Sequence, residues 1–334
     1  MSYCVIDSKK FSSNIKVVSN YVSIDKIAFV LKNNAYGHGL LEMAQLAKDN
    51  NIRHAVVINC NEAKKIKKYF SSILVLSGIP KKCPSENIHI TINDINDICK
   101  IPSKTNVELK VDTGMHRNGI SVKQFDVAIN KINDANLNLK GIFTHFSNAF
   151  EDDGSMENQK DIFDDIKNRV KSNMPQVRFH CSSSPGIFRF DNNAYDIVRV
   201  GIAMYGYVDL PDNIPSPKLS PILSLWSEKV SERFILKGGA IGYGRRFRAK
   251  RDMTISTYDI GYGNGFFRLD ENKQFKISDG RDILGRVSMN NLTIEGSDNE
   301  ICVFNNVRDL AELHGTISYE ILCRLDSDIP KRII

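Results

Sequence analysis

The stretch Ala28-Phe-Val-Leu-Lys32-Asn-Asn-Ala-Tyr36-Gly37-His38-Gly39 opens as a short apolar run, meets a lysine, and closes on asparagines and glycines. That order reads as a β-strand entering a turn. Just beyond, Leu40, Met43, Ala44 and Ala47 share one face at helical spacing. The alternation recurs. Apolar, β-branched runs stand at Ile27–Leu31, Ala55–Ile58, Ile73–Leu76, Ile88–Ile92, Val107–Val111, Lys140–His145, Val177–Cys181 and Ile197–Val200. Helical faces fall between them at Phe125, Ala128, Ile129 and Ile132, and at Ile162, Phe163, Ile166 and Val170. Eight strands with intervening helices predict an α/β fold, an N-terminal (β/α)8 TIM-type barrel rather than an open sheet.

The character then changes. Pro211, Pro215, Pro217 and Pro221 mark a linker, and beyond it Met253–Tyr258 and Phe275–Ile277 read as strands between glycine turns. One short helix is expected around Arg308–Leu313. The expected division is a barrel over residues 7–215 and a β-rich domain over 220–334 joined by the N-terminal strand 1–6. The 334 residues carry a net charge of +6 with no dense basic block, which argues against nucleic-acid or membrane partners. Asp7, Lys9 and Lys10 interrupt any secretory apolar region. The seven scattered cysteines lack CxxC spacing, so reduced thiols in a cytoplasmic protein with no metal site are expected.

In a barrel of this kind the chemistry lies at the C-terminal ends of the strands. Lys32 closes the first strand there, where partial desolvation would lower its pKa and free the amine to form a Schiff base. The same mouth collects Lys110, Arg117, His145, Ser183, Ser184, Arg199 and Gly201. Hydroxyls after the seventh strand and the Gly201 and Ile202 amides after the eighth suit a phosphate dianion. Taken singly, these are an ordinary strand-end lysine and a serine-rich turn. A lysine nucleophile with a phosphate cradle is what pyridoxal 5′-phosphate requires.

Ala28–Gly39 resembles the cofactor-attachment motif of the alanine racemase family, and the likeness spans the chain. It continues through Leu109-Lys-Val-Asp-Thr-Gly-Met-His-Arg117-Asn-Gly119, Thr144-His145-Phe146, Val198-Arg199-Val-Gly201-Ile-Ala-Met-Tyr-Gly206, Gly242-Tyr243-Gly244, Ile260-Gly-Tyr262-Gly-Asn-Gly265, Gly285-Arg-Val-Ser-Met289 and Thr316-Ile-Ser-Tyr-Glu320. The resemblance implies that Lys32 carries the cofactor and acts as base on one face of the substrate, with Tyr243 as base on the other. It implies that His145 and Arg199 support Tyr243, and that Arg199 donates to the pyridine nitrogen. Tyr36, Ser184, Gly201 and Ile202 become phosphate contacts. Arg117 and the Met289 amide become substrate-carboxylate contacts. Lys110 matches a position that some members carboxylate to orient the arginine. Tyr243, Tyr262 and Met289 would reach the site of a neighbouring subunit in a homodimer, and the D-alanine produced would serve bacterial peptidoglycan.

Several positions depart from the commonest family choice: Ser183-Ser184-Pro185-Gly186 after the phosphate serines, Asn290 and Asn291 after the methionine, Asn264, Phe150 and Ser327. A small residue at 327 would widen the space beside the substrate side chain. A racemase of broader or serine-directed specificity is therefore one alternative. The other is a pyridoxal-phosphate amino-acid decarboxylase of the same fold, against which Arg199 and the Tyr243 segment argue.

Overall fold

The computed structural model describes residues 1–269 and 274–334, in two units. The first comprises Phe11–Ala35 and Met43–Ser220. Its strands Ile27–Val30, His54–Val57, Ser72–Val75, Ile88–Ile92, Asn106–Asp112, Asn138–Phe143, Arg178–His180 and Val198–Val200 pair in parallel in chain order. The eighth returns to the first in register, Val198 against Ile27 and Val200 against Phe29. Between the seventh and eighth strands the ladder gives way to single bonds, Asp196 N–H to Phe179 O (3.0 Å) and Arg199 N–H to Ser182 O (3.2 Å). The result is a nearly closed barrel.

The helices follow from their faces. Phe125–Asp134 buries Phe125, Ala128 and Ile132, with Ile129 half-buried at the edge. Ser155–Lys171 buries Met156, Gln159, Phe163, Ile166 and Val170. Each large apolar side chain so removed from water contributes roughly 1.5–3 kcal/mol. Ile162, expected on that stripe, is exposed instead, because at 3.6 residues per turn it falls just outside the edge of the face that the buried residues share.

The second unit comprises Met1–Lys10, Tyr36–Glu42 and Pro221–Ile334. Its spine is the long strand Leu223–Ile235, antiparallel to Tyr3–Ile6 and Glu300–Phe304 over its first part and to Met253–Tyr258 over its second. Tyr3–Ile6 also pairs in parallel with Lys331–Ile333, and Met253–Tyr258 with the antiparallel Leu292–Glu295. Phe275–Ile277, expected as a strand, makes only an isolated bridge, Lys276 to Asp282. In place of the one helix expected here, Arg308–His314 is followed by a second, Ser318–Arg324. Among the described residues no helix is long and apolar enough to cross a membrane.

Candidate active site

Lys32 stands two residues beyond the end of the first barrel strand, half-buried, at the start of the turn Lys32–Tyr36. Asn33, Asn34, Ala35 and Tyr36 all have left-handed backbones, φ 54, 52, 53 and 50°. Asparagine visits this region readily; alanine and tyrosine do so at a cost of about 1–2 kcal/mol each. The turn is pinned by Glu62, whose carboxylate accepts the Asn34 N–H (3.2 Å) and the Ile58 N–H (3.0 Å). Glu62 is itself set at the start of a helix capped by Asn59.

Lys110 projects from the fifth strand, buried and without a hydrogen bond among the described residues. Burial, with the charges of Arg117, Arg199 and Lys32, pushes its amine down to about 8. The turn that carries Arg117 is built on Asp112, which accepts the amides of Gly114, Met115 and His116 at 2.9–3.1 Å. His145 lies beyond the end of the sixth strand rather than within it. Burial, reinforced by Arg199, Lys110, Arg117 and Lys32, holds its ring well below the usual histidine range, hence neutral. The barrel mouth is thus a convergence of cationic side chains, suited to a phosphorylated, carboxylate-bearing guest.

Arg199 is buried, and five hydrogen bonds fix its guanidinium. Nη1 donates to His180 Nδ1 (2.6 Å) and His180 O (3.3 Å); Nη2 donates to Thr144 O (2.7 Å), Cys181 O (3.0 Å) and His145 Nδ1 (3.2 Å). Its plane lies over the Phe143 ring, 5.1 Å from the centroid. The Nε–H makes no hydrogen bond among the described residues. Nearby, Ser184 Oγ accepts the amides of Gly201 (3.0 Å) and Ala203 (3.3 Å), tying together the turns after the seventh and eighth strands. The Ile202 amide has no acceptor among the described residues. Gly186 allows its turn to close on Ser182, whose Oγ would lie 2.6 Å from any added Cβ. An unspent buried guanidinium donor, and the open Ile202 amide beside the Ser184 hydroxyl, fit a phosphorylated pyridine.

Tyr36, Tyr243, Tyr262 and Met289 belong to the β-rich unit. Tyr36 is buried edge-on to Tyr319, and burial drives its phenol well above the usual range. The other three occupy neighbouring loops. Gly263 donates to Met289 O (2.7 Å), Tyr262 donates to Ser288 O (3.2 Å), and Gly285 packs against Ile241 and Gly242. A Cβ on Gly261 would come within 2.4 Å of Met289 O, so that position admits only glycine. Tyr243 and Met289 are 70% and 56% exposed, and the Met289 amide has no acceptor among the described residues. Asn264 takes over the bracing of its loop, accepting the Gly261 amide at 3.2 Å; Phe150 and Ser327 are exposed.

Sequence reasoning passed over Glu108, Arg178 and His180, which lie behind Arg199. The signal was the alternation Glu108–Lys110 and Arg178–His180 on short strands, which sends each pair to one face.

Family models described as "Alanine racemase, N-terminal domain" and "Alanine racemase, C-terminal domain" match residues 6–209 and 222–333. The chain is 39% identical over 337 residues to an alanine racemase of a Nitratiruptor species, covering 99% of both chains. Its fold is similar to that of the alanine racemase of Clostridium difficile 630, with TM-score 0.88 and 24% identity over 100% of this chain and 95% of that one. The alanine racemase of Bacillus anthracis, solved with bound L-Ala-P, gives TM-score 0.85 and 25% identity over the same shares.

Proposed function

The chain belongs to the alanine racemase family, and we propose that it interconverts L- and D-alanine by removing the α-proton from one face and returning one to the other. Pyridoxal 5′-phosphate, when bound, supplies the electron sink that makes the α-proton acidic. Lys32 holds the cofactor through its amine and moves the proton on one face; the Tyr243 hydroxyl serves the other. Ser184, Tyr36 and the amides of Gly201 and Ile202 hold the phosphate. Arg199 would offer its remaining donor, the Nε–H, to the ring nitrogen. Because arginine keeps its proton, it hydrogen-bonds there without protonating the ring, which favours return of the proton to the α-carbon. Arg117 and the Met289 amide orient the substrate carboxylate.

The observation that carries this reading is Arg199, buried, held by five bonds and left with one donor to give. The exposure of Tyr243, Tyr262 and Met289 supports a homodimer in which these loops complete the partner's site. Such an enzyme would work in the cytoplasm and supply D-alanine for peptidoglycan. The test is incubation of the purified protein with pyridoxal phosphate and L-alanine in deuterated water. Loss of optical rotation with deuterium at the α-carbon is expected. Carbon dioxide release, or neither change, would overturn the reading.

Lys110 adds a second expectation. An amine near pH 8, unpaired among the described residues and beside Arg117, is partly deprotonated at neutral pH and open to carbon dioxide. The carbamate would replace a repelling cation by an anion that orients Arg117. Labelled bicarbonate should give a carbamate carbon signal that Lys110→Met lacks, together with weaker substrate binding in that variant. A bare amine at Lys110 under saturating bicarbonate would reject it.

A further inference from the structure

Behind Arg199 a polar chain runs across the barrel interior. Glu108 is 0% exposed. Its Oε1 accepts Arg178 Nε (3.0 Å) and Arg178 Nη2, and lies 2.8 Å from His89 Nδ1, which is itself 3.1 Å from Arg178 Nη2. Its Oε2 faces His180 Nε2 at 2.6 Å. Arg178 Nη1 is held in turn by Ser72 Oγ (2.9 Å), and the His180 ring is stacked on Phe143, 4.8 Å between centroids. The opposite nitrogen, Nδ1, lies 2.6 Å from Arg199 Nη1.

Two donors cannot meet at that distance. Arg199 always donates, so His180 Nδ1 bears no proton, and Nε2 must carry the one it gives to Glu108. A charged ring is excluded on the same ground. Burial would by itself raise the Glu108 carboxyl, but the Arg178 charge and the hydrogen bonds from His180 and His89 hold it well below the usual range. Burial also lowers His180 to about 4, against the pull of Glu108. Carboxylate and neutral imidazole therefore coexist across the physiological range.

We propose that Glu108 is a positioning residue for racemisation: its carboxylate fixes the tautomer of His180, which in turn aims the Arg199 guanidinium. The proposal rests on the reading of Arg199 as the group that meets the cofactor's ring nitrogen. A neutral amide in place of Glu108 reverses the polarity of the chain. The two Arg178 donors would hold the amide oxygen, turning the NH2 group toward His180 Nε2. The ring must then accept there and carry its proton on Nδ1, donor against donor with Arg199, whose five-bond seat is lost.

The test is ¹⁵N NMR of histidine-labelled holoprotein, with His180 assigned by its loss in His180→Gln, beside steady-state kinetics and the visible spectrum of the bound cofactor. The unmodified chain should show a neutral Nε2–H ring at His180 between about pH 5.5 and 9. Glu108→Gln should move the proton to Nδ1, shift the cofactor spectrum and lower kcat about 10- to 100-fold, as loss of a ligand's supporting partner does elsewhere, with little change in KM. Glu108→Asp, which keeps the charge, should restore the Nε2–H ring and most of kcat. An Nδ1–H or charged ring in the unmodified chain overturns the proposal whether or not Glu108→Gln folds. So does a Glu108→Gln protein that melts earlier but keeps tautomer, spectrum and kcat. Racemisation by the unmodified chain with either result leaves the functional reading standing; absence of racemisation overturns both.

Discussion

Replacing Lys32 by alanine should leave a folded chain that no longer binds pyridoxal phosphate covalently and racemises alanine at least about 10⁴-fold more slowly. The fold should survive because the turn is held by bonds that do not involve the Lys32 side chain: the Asn34 and Ile58 amides to the Glu62 carboxylate, and Ala35 N–H to Leu31 O at 2.9 Å. The left-handed run begins at Asn33, after Lys32, so alanine at 32 meets no positive φ. What is lost is the amine that both holds the cofactor and moves a proton, two roles with no second lysine to assume them. Lys110 is the nearest candidate in chemistry, but it lies on another strand, among the positive charges of Arg117 and Arg199. Borohydride reduction followed by intact mass should fix the cofactor on Lys32 in the unmodified chain and leave Lys32→Ala unlabelled. Near-normal racemisation by Lys32→Ala would refute the assigned role, and labelling at another residue would move it there.

The barrel was legible because its strands and helices declare themselves locally. Strand runs such as Ile88–Ile92 and helical faces such as Phe125, Ala128 and Ile132 are set by periodicity, which needs no distant partner. The turn after Lys32 was half legible. Asn33 and Asn34 announce a left-handed conformation, whereas Ala35 and Tyr36 adopt it only under tertiary constraint. The helix Ser318–Arg324 was hidden because seven residues with only Ile321 and Leu322 buried are too few to show a helical period, and the extended Ile317 before it reads as strand. Phe275–Ile277 had a strand composition but finds only a bridge, since composition does not provide a neighbour to pair with. Least legible was the chain through Glu108. Its partners Arg178 and His180 lie some seventy residues away, and only the strand order, which sets Gly141 between Glu108 and Arg178, makes them neighbours. The same holds for Arg199, whose importance could be inferred from resemblance but whose five bonds come from the ends of two other strands, the sixth and the seventh.

Tyr243→Phe should reduce racemisation in both directions by about 10²- to 10⁴-fold, because inversion needs a proton carrier on each face. The ring stays; only the hydroxyl goes. Tyr243 is presented between Gly242 (φ 71°) and Gly244 (φ 73°), a backbone that no side chain at those neighbours would favour, and phenylalanine should keep that geometry. Lys32 remains, so α-hydrogen exchange with solvent should persist for one enantiomer and vanish for the other, without inversion. A merely structural tyrosine would slow exchange of both equally. The exposure of Tyr243 adds a second, sharper expectation. If each site takes Lys32 from one protomer and Tyr243 from its partner, Lys32→Ala and Tyr243→Ala chains are each inactive alone. A mixed dimer then contains one site with both native residues and one with neither. Random exchange makes half the dimers mixed, so activity should return to roughly a quarter of the unmodified level per site. Mass spectrometry of the intact dimers establishes that exchange has occurred. Confirmed exchange with no recovery would mean that both bases come from a single chain.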